Sequence, residues 1–171
     1  MSFVRDLSFG EKGEEWLRTW LLGKGVECQE KDENKKGYDL LLTSGTRVEV
    51  KSDRYALTTN NILFEIWSHS EIGSPGWLQY SNSEVLCYLL YNDNNEIADV
   101  IFYDFLSLKA FLFWVVLKGS WFSQPILGVI KSARRAGSPK ARNLLIPRDA
   151  LEIFEISVDT FALRKDDCSG N

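Results

Sequence analysis

The sequence has few of the residues that common metal and disulfide sites require. It contains one histidine, His69, and three widely spaced cysteines, none of them in a CxxC pair. A single imidazole excludes sites built from several histidines. Three isolated cysteines fit neither a zinc module nor a secreted disulfide framework. Carboxylates and lysines are therefore the side chains available for chemistry.

Long apolar runs are also missing. The run over residues 111–117 has seven residues, whereas a membrane-spanning helix needs about 20. The N-terminus has neither the basic start nor the apolar stretch of a signal peptide. These absences predict a cytoplasmic protein with no membrane partner.

Length and composition favour one domain. The chain has 171 residues, of which 44% are hydrophobic and 13% aromatic, and a chain of this size buries roughly 70% of its unfolded surface. No internal repeat or low-complexity linker divides it. We therefore predict a single α/β domain over residues 1–163 and a flexible tail over residues 164–171.

Hydrophobic periodicity predicts alternating helices and strands. Trp16, Leu17, Trp20 and Leu21 recur at the spacing of one helix face, which predicts a helix over residues 10–22. Glu14 lies at the margin of that face, so it is the acid of this helix nearest the interior. A second, apolar helix is predicted over residues 105–118. The predicted strands cover residues 26–29, 39–42, 46–51, 62–67, 85–91, 97–103 and 144–146.

The segment 39–51 predicts a hairpin that gathers charged side chains. Its two strands are joined by Thr-Ser-Gly at positions 43–45, a three-residue connection with glycine in third place. The register set by this turn puts Asp39 opposite Glu49, with Lys51 on the same face. Leucines and valines alternate with them and form the opposite, apolar face.

Two opposed carboxylates beside a lysine suit a hard divalent cation. Mg²⁺ takes oxygen ligands, lowers the pKa of a bound water and neutralises charge on a phosphoryl oxygen. Like charges that face each other across a sheet destabilise it unless a cation lies between them. Lys51 would then orient the attacking water or stabilise the transition state. The simpler alternative is a surface hairpin with an acid pair tied to a lysine.

Asp39, followed by Val48-Glu49-Val50-Lys51, resembles the signature of the PD-(D/E)XK nuclease superfamily. Gly13-Glu14, with Trp20-Leu21 and Gly25 after it, is similar to the first-helix pattern of the resolvase-like and phage members. The resemblance implies a restriction-endonuclease-like αβββαβ core, with a mixed central sheet flanked by helices. It also implies Mg²⁺- or Mn²⁺-dependent hydrolysis of DNA phosphodiester bonds.

The resemblance further assigns roles to single residues. It implies metal ligands at Asp39, Glu49 and the backbone carbonyl of Val50. It makes Lys51 the catalytic lysine, and Glu14 assists the metal directly or through a water. The implied activity is that of an endonuclease, with branched DNA or a Holliday junction as candidate substrates, in the host cytoplasm if a phage encodes it.

Two alternatives remain open at this point. Glu65 is a secondary site candidate, because alternation along its strand points it either at the site or at solvent. The rival function is a non-catalytic nucleic-acid-binding or assembly protein that keeps the nuclease scaffold. An intact Asp39, Glu49 and Lys51 set argues against that rival.

Basic residues concentrate in one segment. Residues 131–148 hold six of the 20 basic residues and none of the 24 acidic ones, so this segment carries +6 and the remainder −10. Such asymmetry is typical of a localised phosphate-binding surface, the alternative being a solvated loop without a partner. The predicted DNA contacts are Lys35, Lys36, Lys131, Arg134, Arg135, Lys140 and Arg142.

The composition of the second predicted helix bears on whether the protein has a partner chain. Residues 105–118 are apolar nearly all round the helix, which places it either in the core or against another subunit. We expect a homodimer, because a two-fold dimer presents two active sites to the two strands of a duplex or junction.

Overall fold

The protein has a mixed α/β fold with a mixed central sheet and flanking helices, as the sequence predicted. The computed structural model of the chain describes residues 3–29, 37–119 and 141–162. Its helices are α1 (Phe3–Gly23), α2 (Ala56–Thr59), α3 (Trp77–Tyr80), α4 (Phe105–Gly119) and α5 (Val158–Ala162), with a 3₁₀ helix at Arg148–Phe154. Its strands are β1 (Leu40–Leu41), β2 (Arg47–Asp53), β3 (Asn61–His69), β4 (Ser74–Pro75), β5 (Val85–Tyr91), β6 (Ile97–Asp104) and β7 (Arg142–Pro147).

The strands divide into two sheets. The central sheet has the order β1-β2-β5-β6, in which β2 and β5 are parallel and the outer pairs are antiparallel. The smaller sheet has the order β4-β3-β7 and is antiparallel. The predicted strand over residues 62–67 therefore belongs to a separate sheet, which covers part of the central one.

The predicted hairpin register is confirmed. Leu40 pairs with Val48 and Leu41 with Arg47, which is the alignment that puts Asp39 opposite Glu49. The turn closes at Gly45, whose φ of +88° is the left-handed conformation that glycine adopts readily. The first strand is shorter than predicted, because regular pairing begins only after Asp39.

The predicted strand over residues 26–29 is reduced to one bridge. Cys28 pairs with Leu42 in an isolated antiparallel bridge beside β1. Two backbone hydrogen bonds attach this segment to the hairpin, from Gln29 N–H to the Leu41 carbonyl at 2.7 Å and from Thr43 N–H to the Glu27 carbonyl at 2.9 Å.

The two faces of the central sheet pack against different partners. On one face, Leu17 and Leu21 of α1 pack with Val48 and Val50 of β2. The other face packs against α3, α4 and the smaller sheet, in a core that includes Leu86 and Tyr88 of β5. Because side chains alternate along a strand, the second face is also the one toward which the odd-numbered residues of β2 project.

Helix α4 begins where the sequence predicted and buries one of its faces. Asp104 caps it, since its carboxylate accepts a hydrogen bond from the Ser107 backbone N–H at 3.2 Å. Leu108 and Leu112 are fully buried, whereas Leu106 is 60% exposed. Within the described ranges, no helix combines the length and the apolar composition needed to cross a bilayer.

Two glycines of α1 differ in the space around them, so we expect alanine to change the stability of the protein in opposite directions at the two positions. A Cβ on Gly13 would lie 2.3 Å from Ser52 Oγ and 3.1 Å from Leu89 Cδ1, whereas a Cβ on Gly10 meets no atom within 4 Å. We expect Gly10→Ala to raise the free energy of unfolding by about 0.5–1 kcal/mol, because alanine favours the helix. We expect Gly13→Ala to lower it by about 1–3 kcal/mol through overpacking. Urea unfolding of both variants checks this, and shifts of the same sign would contradict the close packing of α1 on β2.

Candidate active site

The candidate site lies on the face of β2 that points away from α1. Glu49 is 3% exposed although it is a carboxylic acid, and Lys51 projects from the same face two residues later. A buried acid without compensation is costly, so a partner charge is required. The sequence supplies that charge within the same strand.

The Lys51 ammonium is surrounded by three oxygens. Its Nζ lies 2.5 Å from Glu49 Oε1 and 3.6 Å from Asp39 Oδ2. It also donates a hydrogen bond to the Val50 carbonyl at 3.0 Å, and it lies 5.0 Å from the centroid of the Trp77 ring. The three atoms that the sequence resemblance implied as metal ligands therefore converge on one cationic nitrogen.

Hydrogen bonds fix the position of Asp39 relative to β2. Its Oδ2 accepts a hydrogen bond from the Val50 backbone N–H at 2.7 Å, and its own backbone N–H donates to the Val48 carbonyl at 3.0 Å. Just before it, the Gly37 carbonyl accepts hydrogen bonds from the Asn82 backbone N–H at 2.8 Å and from a serine hydroxyl. The loop that carries Asp39 is thus attached to the segment that precedes β5.

Burial and charge shift the pKa values of Glu49 and Lys51. Burial raises the pKa of the Glu49 carboxyl, and the neighbouring Asp39 raises it further, against the opposing effect of Lys51. Burial lowers the pKa of Lys51, but the carboxylates of Glu49 and Asp39 outweigh it and the pKa lies above its ordinary value. Lys51 is therefore an ammonium here and acts as a cation and a hydrogen-bond donor.

The donor set around Lys51 fits a small divalent cation. Among the described residues, no group of three or more His, Cys, Asp and Glu side chains is arranged to hold a metal ion. The available set is two carboxylates and one carbonyl, all oxygen donors. Mg²⁺ prefers such ligands and usually keeps several waters, so two carboxylates suffice to bind it.

Tyr80 and Ser81 lie at the end of α3 and complete the site. The sequence patterns did not predict a role in the site for either residue. Ser81 is buried, and its hydroxyl lies 3.2 Å from the Gly37 carbonyl. A hydrogen bond between Ser81 and Glu49 also acts to lower the pKa of that carboxyl. No spacing in the sequence marks these residues, because they reach the site through the crossover between β2 and β5.

The charge of Glu65 acts on the Tyr80 phenol. Partial burial raises the pKa of the Tyr80 phenol; Lys51 opposes this, whereas Glu49, Asp39 and Glu65 each raise it further. Glu65 is half-buried on β3, and a Cβ on Gly76 would lie 2.8 Å from its Cγ. The core-facing side chains of β3 are Ile62 and Phe64, which alternate with Glu65, and a role for Glu65 in the site stays a prediction.

Glu14 lies on an element that packs behind the site. It is half-buried in the middle of α1, one residue after Gly13, whose backbone packs against Ser52. Ser52 projects from β2 on the side opposite Lys51. The helix thus approaches the site strand from the apolar face, and the assisting role of Glu14 stays a prediction.

The predicted DNA contacts are only partly described. Arg142 is exposed at the start of β7. Arg148 of the basic segment forms an ion pair with Asp99 at 2.6 Å. The remaining predicted contacts lie outside the described residues: Lys35, Lys36, Lys131, Arg134, Arg135 and Lys140.

Comparison with known proteins adds no family assignment. The chain matches no protein-family model, and no curated protein is similar to it at a significant level. Evidence about its function therefore comes from the motif and from the geometry of the site.

An ion pair at the start of β2 predicts a pH-dependent contribution to stability. Glu84 accepts hydrogen bonds from the Arg47 backbone N–H at 2.8 Å and from Arg47 Nε at 3.0 Å. Burial raises the pKa of Glu84, but the Arg47 hydrogen bonds outweigh it and the pKa lies below its ordinary value. A lowered carboxyl pKa contributes stability above the unfolded-state pKa, and this contribution is lost as the pH falls through the folded-state pKa.

We therefore expect Glu84→Gln to lower the free energy of unfolding by about 1 kcal/mol at pH 7, because the pair is partly exposed. The difference from the wild type should shrink as the pH falls below about 4. Urea unfolding across this range checks it. A difference that stays constant with pH would contradict a role for the Glu84 charge.

Proposed function

We propose that the protein is a divalent-metal-dependent endodeoxyribonuclease of the PD-(D/E)XK superfamily. It hydrolyses DNA phosphodiester bonds at the site formed by Asp39, Glu49 and Lys51. The observation that carries the proposal is the convergence of two carboxylate oxygens and the Val50 carbonyl on one cation. Like charges on adjacent strands are tolerated there because a cation lies between them.

The order of the elements supports a restriction-endonuclease-like core. Helix α1 is followed by the bridged segment at Cys28 and then by β1 and β2. After the short helices α2 and α3, β5 runs parallel to β2. This succession supports the proposed αβββαβ core, with the isolated bridge at Cys28 in the place of its first strand and the β3–β4 hairpin inserted in the crossover.

Each residue of the proposed site has a role that its contacts allow. Asp39, Glu49 and the Val50 carbonyl would hold Mg²⁺ or Mn²⁺, which would supply a Lewis acid for water activation and for charge on the phosphate. Lys51 donates hydrogen bonds to a phosphate oxygen or to the attacking water, because its raised pKa keeps it charged. The proton of the water passes to solvent or to a carboxylate such as Glu65. The assisting role that the resemblance implies for Glu14 stays a prediction, because α1 packs on the opposite face of β2.

The substrate that we propose to test first is branched DNA. The basic segment over residues 131–148 provides charge for phosphate contacts, and contacts of this kind position DNA without reading its sequence. A homodimer would present two sites to the two strands of a junction.

A cleavage assay tests the proposal. The purified protein is incubated with a four-way junction, a linear duplex and single-stranded DNA, each with Mg²⁺, Mn²⁺ or EDTA. We expect cleavage in either metal and none in EDTA, with the junction cut fastest. A Lys51→Met variant purified in the same way controls for contaminating nucleases. DNA retention without cleavage in both metals would instead support the non-catalytic binding protein.

A further inference from the structure

One lysine interrupts an otherwise apolar helix. Between residues 105 and 117, Lys109 is the only charged residue. It is half-buried, its Nζ donates a hydrogen bond to the Ser81 carbonyl at 2.6 Å, and it lies 5.2 Å from the centroid of the Phe105 ring. Lys109 therefore contacts Ser81, whose hydroxyl is a hydrogen-bond partner of Glu49.

Among the described residues, the hydrogen-bond acceptor of Lys109 is a neutral carbonyl. An ammonium has three N–H donors, and the Ser81 carbonyl accepts from one of them. The lysine lies within electrostatic reach of Glu49, which binds Lys51 at 2.5 Å. A charged donor forms stronger hydrogen bonds with an anionic oxygen than with a neutral one, so Lys109 is suited to receive an anion.

An incoming phosphate meets a site that is rich in acid. Without a bound metal ion, the carboxylates of Asp39 and Glu49 face the single ammonium of Lys51. A DNA backbone is repelled by such a surface unless further cations face it. Lys109 is a described cation whose contacts place it beside this group.

We infer that Lys109 is a substrate-binding residue, whose ammonium contacts a phosphate of the DNA next to the phosphodiester that is cleaved. The inference rests on the proposed nuclease function and adds a contact from α4 to it. A purely structural role is the competing explanation, in which Lys109 only holds Ser81 and, through it, Glu49.

The salt dependence of DNA binding separates these two roles. Binding of a fluorescent duplex is measured by anisotropy in EDTA, where no cleavage occurs, for the wild type, Lys109→Met and Lys109→Arg. Loss of one phosphate contact to a duplex reduces the slope of log Kd against log salt concentration by about 0.9. We expect this reduction in Lys109→Met, with a Kd about five- to tenfold higher at low salt, and a slope like that of the wild type in Lys109→Arg.

Lys24→Met is the matched control. Lys24 is exposed at the end of α1, where its Nζ lies over the Trp20 ring at 5.4 Å, so the same substitution should leave the slope unchanged. Thermal melting of every variant shows whether the fold is intact.

Three results would overturn the inference or separate it from the proposed nuclease function. An unchanged slope in Lys109→Met, with only a lower melting temperature or a higher Mg²⁺ requirement, would assign Lys109 a structural role and reject the contact. If the wild type binds DNA without cleaving it, the proposed nuclease function fails while the slope still decides the role of Lys109. If the wild type binds no DNA, both fail.

Discussion

Lys51→Met should lower the rate of Mg²⁺-dependent DNA cleavage by about 10³-fold, the scale of losing one preorganised donor at the reacting group. Methionine keeps the length of the side chain and removes the ammonium that contacts Glu49 and Asp39. Single-turnover rates on the preferred DNA measure the effect. The Lys24→Met variant removes an exposed lysine that directly follows α1, and it should cleave DNA at the wild-type rate.

The same variant also tests whether this is a cation site, independently of cleavage. Without the ammonium, the buried Glu49 faces Asp39 uncompensated, so we expect a loss of up to about 3 kcal/mol in EDTA. Mg²⁺ should restore more stability in Lys51→Met than in the wild type, because the ion occupies oxygens that the ammonium has left. A melting temperature that Mg²⁺ leaves unchanged in both proteins would contradict a metal site at these oxygens, whereas equal increases would show only that the ammonium does not compete with the ion.

Asp39→Asn should reduce cleavage by a similar factor and leave the fold intact. The amide oxygen of asparagine can still accept the hydrogen bond from the Val50 backbone N–H, whereas the charge that attracts the cation is lost. Cleavage rates measured over a range of Mg²⁺ and Mn²⁺ concentrations, with melting temperatures alongside, check both statements.

Asp53→Asn provides the matched comparison for that experiment. Asp53 is the last residue of β2, and its carboxylate accepts hydrogen bonds from the backbone N–H groups of Tyr55 and Ala56. The same change of charge there should leave cleavage close to the wild-type rate. An Asp39→Asn variant that is as active as Asp53→Asn across the metal titration would remove Asp39 from the site.

The part of the site that the sequence predicted is the part encoded locally. Asp39, Glu49 and Lys51 lie on one hairpin, whose register follows from the turn at Gly45 and from the alternation of leucine and valine. Both determinants act over a few residues, so the pairing of Leu41 with Arg47 was predictable. The motif resemblance implies which of these side chains bind a metal and which one is the catalytic lysine.

The remaining residues were not predictable because tertiary packing brings them together. Tyr80 and Ser81 reach Glu49 only after the chain has passed through the smaller sheet. Helix α4 is apolar on all sides, so its sequence does not show which face is buried. Lys109 was the available signal, since a lone charge in an apolar helix needs a polar partner.

The parallel pairing of β2 with β5 has a consequence for the order of folding. The β1–β2 hairpin closes locally, but β5 can pair only after the long crossover from Asp53 to Val85 has closed, and such loop closure is slow. The contact between Ser81 and Glu49 therefore forms late in folding, after the β1–β2 hairpin has brought Asp39 and Glu49 together. A cation that requires the completed site would bind after the rate-limiting step, so it would slow unfolding and leave the folding rate nearly unchanged.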